Sequence, residues 1–145
     1  MKSNKSSKTL ARHQAREYAV QAMYQWQMAG TDIATIETEF FEDNDFKTTD
    51  VEYFKELLYG IPQQASELDE KFKPYLVERS LAELGMVELA ILRLASFELI
   101  HRLDVPHKVI LNEAVELAKT FGATESHKFI NGVLDKLAQV VRVDV

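Results

Sequence analysis

One segment near the middle of the chain, residues 87–100, is apolar on every side of the helix that its spacing predicts. Ten of its fourteen residues are apolar, and they surround the helical axis instead of forming one stripe. A helix of this kind is stable in water when other helices cover it. The segment therefore predicts the central helix of a bundle.

Four polar residues interrupt this central helix: Glu88, Arg93, Ser96 and Glu98. On a helical wheel they project at roughly 0°, 140°, 80° and 280°, so they share no solvated face. Because an unpaired buried charge is costly, the favoured interpretation is that these charges pair with charges from neighbouring helices. The alternative is that part of the helix is uncovered in the monomer and meets a partner.

The rest of the chain also has helical periodicity, and no segment shows the alternation typical of a strand. The predicted fold class is therefore all-α. Residues predicted to start or stop the helices are, in chain order, Gly30, Thr31 or Asp32, Thr49 with Glu52, Pro62, Pro74, Ser80 with Glu83, Pro106, Gly122, and Thr124 or Ser126. Residues 42–50 are predicted to be a loop short of packing residues. Gly132 interrupts the last helix at a cost of about 1 kcal/mol, which a close backbone approach would explain.

The length of 145 residues is that of one ordinary domain, and we expect residues 1–145 to form a single one. Within it, Pro74 and the residues up to Arg79 predict a hinge. This hinge would separate an N-terminal helical bundle of about residues 9–79 from a C-terminal bundle of about residues 80–142. Residues 1–8 are predicted to be a basic, flexible arm.

Composition narrows the function classes. The chain has no cysteine, which excludes disulfides, thiolate metal sites and cysteine nucleophiles. No apolar run approaches the ~18 residues of a membrane span, and the polar start lacks the apolar core of a signal peptide. The expected compartment is therefore the cytoplasm. The motifs of phosphate-binding loops, zinc proteases and serine hydrolases are absent, so we expect neither catalysis nor a cofactor.

The charge distribution is uneven. Residues 1–16 hold five basic and no acidic residues, whereas the remaining chain holds twelve basic and 23 acidic residues. The five bases are spaced to share one face of a helix, and they are Lys2, Lys5, Lys8, Arg12 and Arg16. This segment is either a solvated tail or an element that binds an anion such as phosphate.

A second candidate binding element is the corner between the last two predicted helices, residues 120–131 with the preceding Lys119. It combines the cations Lys119 and Lys128 with Phe129 and Asn131. Helix N-termini offer free backbone N–H groups to phosphate, and aromatic rings stack on unpaired bases. The alternative is that the aromatic residues of this corner belong to the core, whose period they fit.

Five segments, in this order and spacing, resemble the NusB transcription antitermination factor family of bacteria. They cover residues 11–27, 50–61, 83–99, 104–122 and 126–136, which is essentially the whole chain. The resemblance implies an all-α fold of about seven helices in two small packed bundles. It also implies binding to boxA RNA together with the ribosomal protein NusE. That complex joins elongating RNA polymerase through other Nus factors and supports transcription of ribosomal RNA.

The resemblance also assigns residues to these roles. For RNA binding it implies contacts from Arg12 and Arg16 of the first helix and from Lys128, Phe129 and Asn131 of the SHKFxNG block. At His13, another candidate contact, the sequence departs from the family, which commonly has arginine there, and Lys5 and Lys8 would compensate for the missing charge. Glu125, just before this block, would repel phosphate. Tyr24 and Glu88 match positions near the NusE surface, which would place Glu88 in an uncovered part of the central helix. The alternative function is a helical protein–protein adaptor without specific RNA recognition, and a homodimer remains possible.

Overall fold

Residues 6–143 are described by the structure, a computed structural model. This part of the chain is composed of seven α-helices without any strand, so the predicted all-α class is confirmed. In chain order they are α1 (Ser7–Ala29), α2 (Ile33–Asp43), α3 (Val51–Gln63), α4 (Ala65–Phe72), α5 (Met86–His101), α6 (His107–Phe121) and α7 (Ser126–Val141). Two single 3-10 turns, Lys73–Tyr75 and Leu81–Glu83, lie between α4 and α5.

Helix α5 is the centre of the molecule. Eleven of its sixteen residues are buried, and they lie on every side of its axis. Helices α1, α3 and α4 from the first half of the chain contact it, as do α6 and α7 from the second half. The prediction of a central helix is confirmed.

The charges of α5 are paired, each with a different part of the chain. Glu98 binds Arg16 of α1, with donor–acceptor distances of 2.8 to 3.1 Å. Arg93 makes two bonds of 2.8 Å to the carboxylate of Asp69 in α4. Glu88 accepts a bond of 2.6 Å from Arg79, which precedes the second 3-10 turn. Pairing is therefore the correct interpretation for all three charges.

One hydrophobic core joins all seven helices. The division into bundles of about residues 9–79 and 80–142 stays a prediction. Helix α1 begins earlier than the predicted end of the basic arm, because Ser6 caps it by accepting a bond of 3.1 Å from the backbone N–H of Thr9. Ser7 and Lys8 are consequently helical. Lys5, and with it residues 1–4, lies outside the described residues.

Several predicted helix starts are shifted by one or more residues. Asp50, and not Thr49, caps α3 by accepting a bond of 3.0 Å from the backbone N–H of Tyr53. The capping box of Ser80 and Glu83 forms, but it closes the short 3-10 turn and not the central helix. Helix α5 begins after Gly85 instead. The predicted capping role of Thr49 with Glu52 is therefore wrong, and the Ser80–Glu83 box is correct as a motif but wrong as the start of the central helix.

Two predictions about packing are wrong: that the loop of residues 42–50 lacks packing residues, and that a close backbone approach explains Gly132. Phe46, in the loop before α3, packs against Tyr18, Phe41 and Phe54 at ring-centroid distances of 4.4 to 5.1 Å. A β-carbon at Gly132 would meet no atom within 4 Å, so no close approach requires this glycine.

Within residues 6–143, no helix combines the length and apolar character needed to cross a bilayer.

Candidate functional site

The basic residues of α1 run from the surface into the core. Lys8 is exposed, the side chain of Arg12 is 20% exposed, and that of Arg16 is only 3% exposed. Exposure decreases along α1 because its first turn lies at the surface and its later turns lie inside the bundle, while basic residues recur on one face. The three bases therefore have different electrostatic roles.

Arg16 is part of a buried ion pair and is not a surface contact for phosphate. Its guanidinium makes three bonds to Glu98, and the Tyr53 hydroxyl donates to the same carboxylate. Burial alone would lower the pKa of Arg16, but the hydrogen bonds and charge of Glu98 outweigh it and raise this pKa above its ordinary value. The predicted RNA contact at Arg16 is therefore corrected: in this structure its donors serve the core.

Arg12 is the best-placed arginine of α1 for a phosphate. Its guanidinium lies 4.5 Å from the centroid of the Tyr53 ring. Its ion pairs with carboxylates are long, at 3.5 Å to Asp50 and 3.9 Å to Asp104, and its buried Nε has no hydrogen-bond partner among the described residues. Arg12 and Lys8 line one open groove of about 200 Å³. An incoming anion would find donors that are incompletely satisfied.

His13 stands between two acidic residues. Its Nδ1 lies 2.8 Å from Glu113 Oε1, and its Nε2 lies 3.3 Å from Glu17 Oε2. Both ring nitrogens are therefore engaged inside the protein, and the side chain is 26% exposed. His13 is placed beside the basic face, with acidic neighbours that oppose a phosphate.

Arg102, which the sequence does not mark as a site residue, belongs to the same cluster. Its guanidinium lies 4.6 Å from the centroid of the Tyr53 ring and pairs with Glu56 at 2.7 Å. It also binds Asp104 through two bonds of 3.0 Å, and these hydrogen bonds lower the pKa of Asp104 to about 2. No periodic signal marks Arg102, because it follows the last residue of α5.

The corner between α6 and α7 carries the second set of predicted RNA residues. Lys128 and Asn131 are exposed, and Lys128 pairs with Glu125 at 2.7 Å. Phe129 is half-buried against the core, and the guanidinium of Arg79 lies 4.2 Å from the centroid of its ring. Glu125 occupies the left-handed region with φ of 73° and precedes α7, so neither Thr124 nor Ser126 is the cap.

An open groove adjoins this corner. It has a volume of about 650 Å³, and its lining includes Tyr24, Met28, Arg79, Glu88 and the chain from Phe121 to Ser126. A second depression of about 330 Å³ continues it past Tyr24 and Val87. The two predicted partner residues, Tyr24 and Glu88, therefore share one surface. Tyr24 is 41% exposed, but Glu88 is only 8% exposed, so the expectation that Glu88 is uncovered is wrong.

Comparison with known proteins identifies the family. The sequence model of the NusB family matches residues 13–139 of this chain. The chain is 58% identical over 135 residues to the transcription antitermination protein NusB of Proteus mirabilis, covering 93% of this chain and 98% of that protein. The chain belongs to the NusB family. NusB of Citrobacter koseri is equally similar, at 58% identity over 93% of this chain and 96% of the relative.

Solved NusB structures share the fold. T. maritima NusB is 32% identical with a TM-score of 0.75, over 88% of this chain and 90% of that one. A chain from the crystal structure of antitermination factors NusB and NusE in complex with dsRNA is 26% identical. Its TM-score is 0.76, over 88% of this chain and 96% of that one.

In this NusB-family chain, the predicted RNA-binding residues that remain candidates within residues 6–143 form two groups. Lys8, Arg12 and His13 lie along α1, while Lys128, Phe129 and Asn131 lie at the start of α7. Glu113 of α6 contacts His13 of the first group, and α6 ends at the corner that carries the second group. No group of three or more His, Asp and Glu residues able to hold a metal occurs in residues 6–143.

Proposed function

We propose that this chain is an RNA-binding transcription antitermination factor. With NusE it binds boxA RNA and joins the elongating RNA polymerase through other Nus factors, which supports transcription of ribosomal RNA. Membership of the NusB family supports this function, as does the similarity to a NusB–NusE complex with RNA. Because antitermination acts on nascent RNA, we place the protein in the cytoplasm.

The observation that carries the RNA-binding part is the corner at the start of α7. Lys128 and Asn131 are exposed there, and Phe129 offers a half-buried ring. Single-stranded RNA is bound by cations that contact phosphates, by polar groups that read base edges, and by rings that stack on bases. Lys8 and Arg12 extend the cationic surface along α1, and Lys5 precedes them in the sequence. His13 is the weakest of the proposed contacts, since two carboxylates engage it.

The adjoining groove is the proposed NusE surface. Its exposed apolar side chains, Tyr24 and Met28, are 41% and 58% exposed. Aromatic and methionine side chains are enriched at the core of protein interfaces. Glu88 in the wall of the groove offers a carboxylate to a cationic group of the partner.

Fluorescence polarisation of a boxA RNA and a scrambled RNA, with and without NusE, tests this function. We expect a preference for boxA that increases with NusE, since two linked surfaces then bind one strand. Affinity should fall as salt rises, because phosphate contacts release counterions. Equal, weak binding of both RNAs with NusE present would instead support the helical adaptor.

Neutralising Glu125 should strengthen RNA binding. Glu125 pairs with the exposed Lys128 at 2.7 Å, so Glu125→Gln both removes a negative charge and frees an ammonium group for phosphate. We expect affinity for boxA RNA to rise about threefold to tenfold, in line with one released phosphate contact. Polarisation titrations at fixed salt measure this change.

The chain provides a matched control for Glu125→Gln. Glu70 and Lys73 form another exposed pair three residues apart, at 3.7 Å, away from both proposed surfaces. Glu70→Gln makes the same change in net charge, so it should leave the affinity nearly unchanged. Equal effects of both variants would mean that net charge alone, and not the corner, determines RNA affinity.

A further inference from the structure

Arg79 contacts residues of both proposed binding surfaces. It lies in the segment between α4 and α5, just after Glu78, whose φ of 60° turns the backbone through the left-handed region. Arg79 Nη1 donates to Glu88 Oε1 at 2.6 Å, and its guanidinium lies 4.2 Å from the centroid of the Phe129 ring. One side chain therefore joins the wall of the groove to the corner that carries the RNA residues.

The carboxylate of Glu88 has one replaceable partner. Its Oε2 accepts a bond of 3.1 Å from Ser126, which is 6% exposed, and its Oε1 accepts from the backbone N–H of Gly85 at 3.2 Å. The side chain of Arg79 is 37% exposed, against 11% for that of Glu88. A cationic group entering the groove would therefore compete with Arg79, the solvent-exposed partner, and not with the fixed donors.

The other end of this connection is the Phe129 ring. A guanidinium above an aromatic face is held there by cation–π attraction, and it occupies a face on which a base would stack. As long as Glu88 anchors Arg79, the guanidinium stays over the ring. Once the anchor is lost, it can move to a nearby phosphate and uncover the ring.

We propose that Arg79 is a positioning residue that couples the groove to the RNA-binding corner. A cationic group of the protein partner engages Glu88 and releases Arg79, which then leaves the ring of Phe129 to a base and binds the RNA backbone. The inference rests on the proposed function and adds the residue through which its two ligands cooperate. Coupling of this kind is reciprocal, so Arg79 must also weaken partner binding when RNA is absent.

The variant Arg79→Gln tests both directions of the coupling. Without RNA, we expect NusE to bind the variant about threefold more tightly, because the competitor for Glu88 is gone. The factor by which NusE raises boxA affinity should fall by about threefold or more, because no guanidinium is released. Calorimetry of NusE binding and polarisation of boxA RNA, both on the full chain, give the two values.

Two further variants separate positioning from general effects. Arg79→Lys keeps the charge beside Glu88 but lacks the planar group that stacks on Phe129, so NusE affinity should stay near the parent value while the RNA factor falls partway. Lys71→Gln makes the same change in charge as Arg79→Gln on the exposed side of α4 and should change neither value. Urea unfolding of each variant verifies that stability is retained.

The outcomes are distinguishable. Opposite changes in NusE affinity and in the RNA factor support the inference, since a merely structural residue would lower both together. A parent protein that shows NusE-enhanced boxA binding, with an unchanged factor in Arg79→Gln, would overturn the inference alone. A parent protein that binds neither ligand would overturn the proposed function and this inference with it.

Discussion

Replacing Arg16 by methionine should destabilise the protein by about 3–5 kcal/mol, the cost of leaving one member of a buried ion pair alone. Glu98 is 0% exposed, and after the change only the Tyr53 hydroxyl would remain of the side chains now bonded to its carboxylate. Urea unfolding followed by circular dichroism measures the loss.

Arg12→Met is the control, one helical turn earlier on the same face. Its side chain is 20% exposed and its carboxylate neighbours are 3.5 and 3.9 Å away, so we expect a loss below about 1 kcal/mol. RNA affinity should show the reverse order, with the larger specific effect at Arg12. The double variant Arg16→Met/Glu98→Leu should recover much of the lost stability, because it removes the buried charge as well. A single Arg16→Met variant as stable as the parent would contradict the buried pair.

Arg142→Ala should produce the second large effect, a loss of about 2–4 kcal/mol. Arg142 follows α7 and is 5% exposed. Its guanidinium donates to the backbone carbonyls of Leu99 at 2.8 Å, Arg102 at 3.0 Å and Val105 at 3.1 Å. These carbonyls lie at the end of α5 and in the turn into α6. The variant removes the buried guanidinium donor from the carbonyls of Leu99 and Val105, whereas the carbonyl of Arg102 keeps the backbone N–H of Val105.

Lys136→Ala, an exposed change in the same α7, is the control for Arg142 and should stay within about 0.5 kcal/mol of the parent. Thermal unfolding measured for all three proteins gives the comparison. Equal stability of Arg142→Ala and the parent would mean that water replaces the guanidinium at these carbonyls.

The sequence predicted the helices and the centre of the fold because these depend on local spacing and on a strong solvation rule. The segment 87–100 is apolar on every side, so it must be buried. Burial in turn requires charged partners for Glu88, Arg93 and Glu98. Proline and glycine also marked the break near Pro62 and the stop at Gly122, which are local effects of backbone chemistry.

The environment of individual site residues could not be predicted in this way. The spacing of Lys8, Arg12 and Arg16 gives one helix face, but the neighbour that covers that face near Arg16 comes from α5, 82 residues later. Likewise, the contact of Arg79 with Phe129 depends on the path of an irregular segment. The left-handed conformation of Glu125 could not be predicted either, because the residue type that usually indicates it is glycine.

The paired charges of α5 also have a geometrical consequence. A helix with a uniformly apolar surface could rotate about its axis at little cost in free energy, because each orientation buries a similar apolar area. Here Glu98, Arg93 and Glu88 meet three different parts of the chain, so a rotation by a single residue would separate all three pairs at once. The helix thus has one permitted rotation about its axis, and it sets the mutual alignment of α1, α4 and the segment at Arg79.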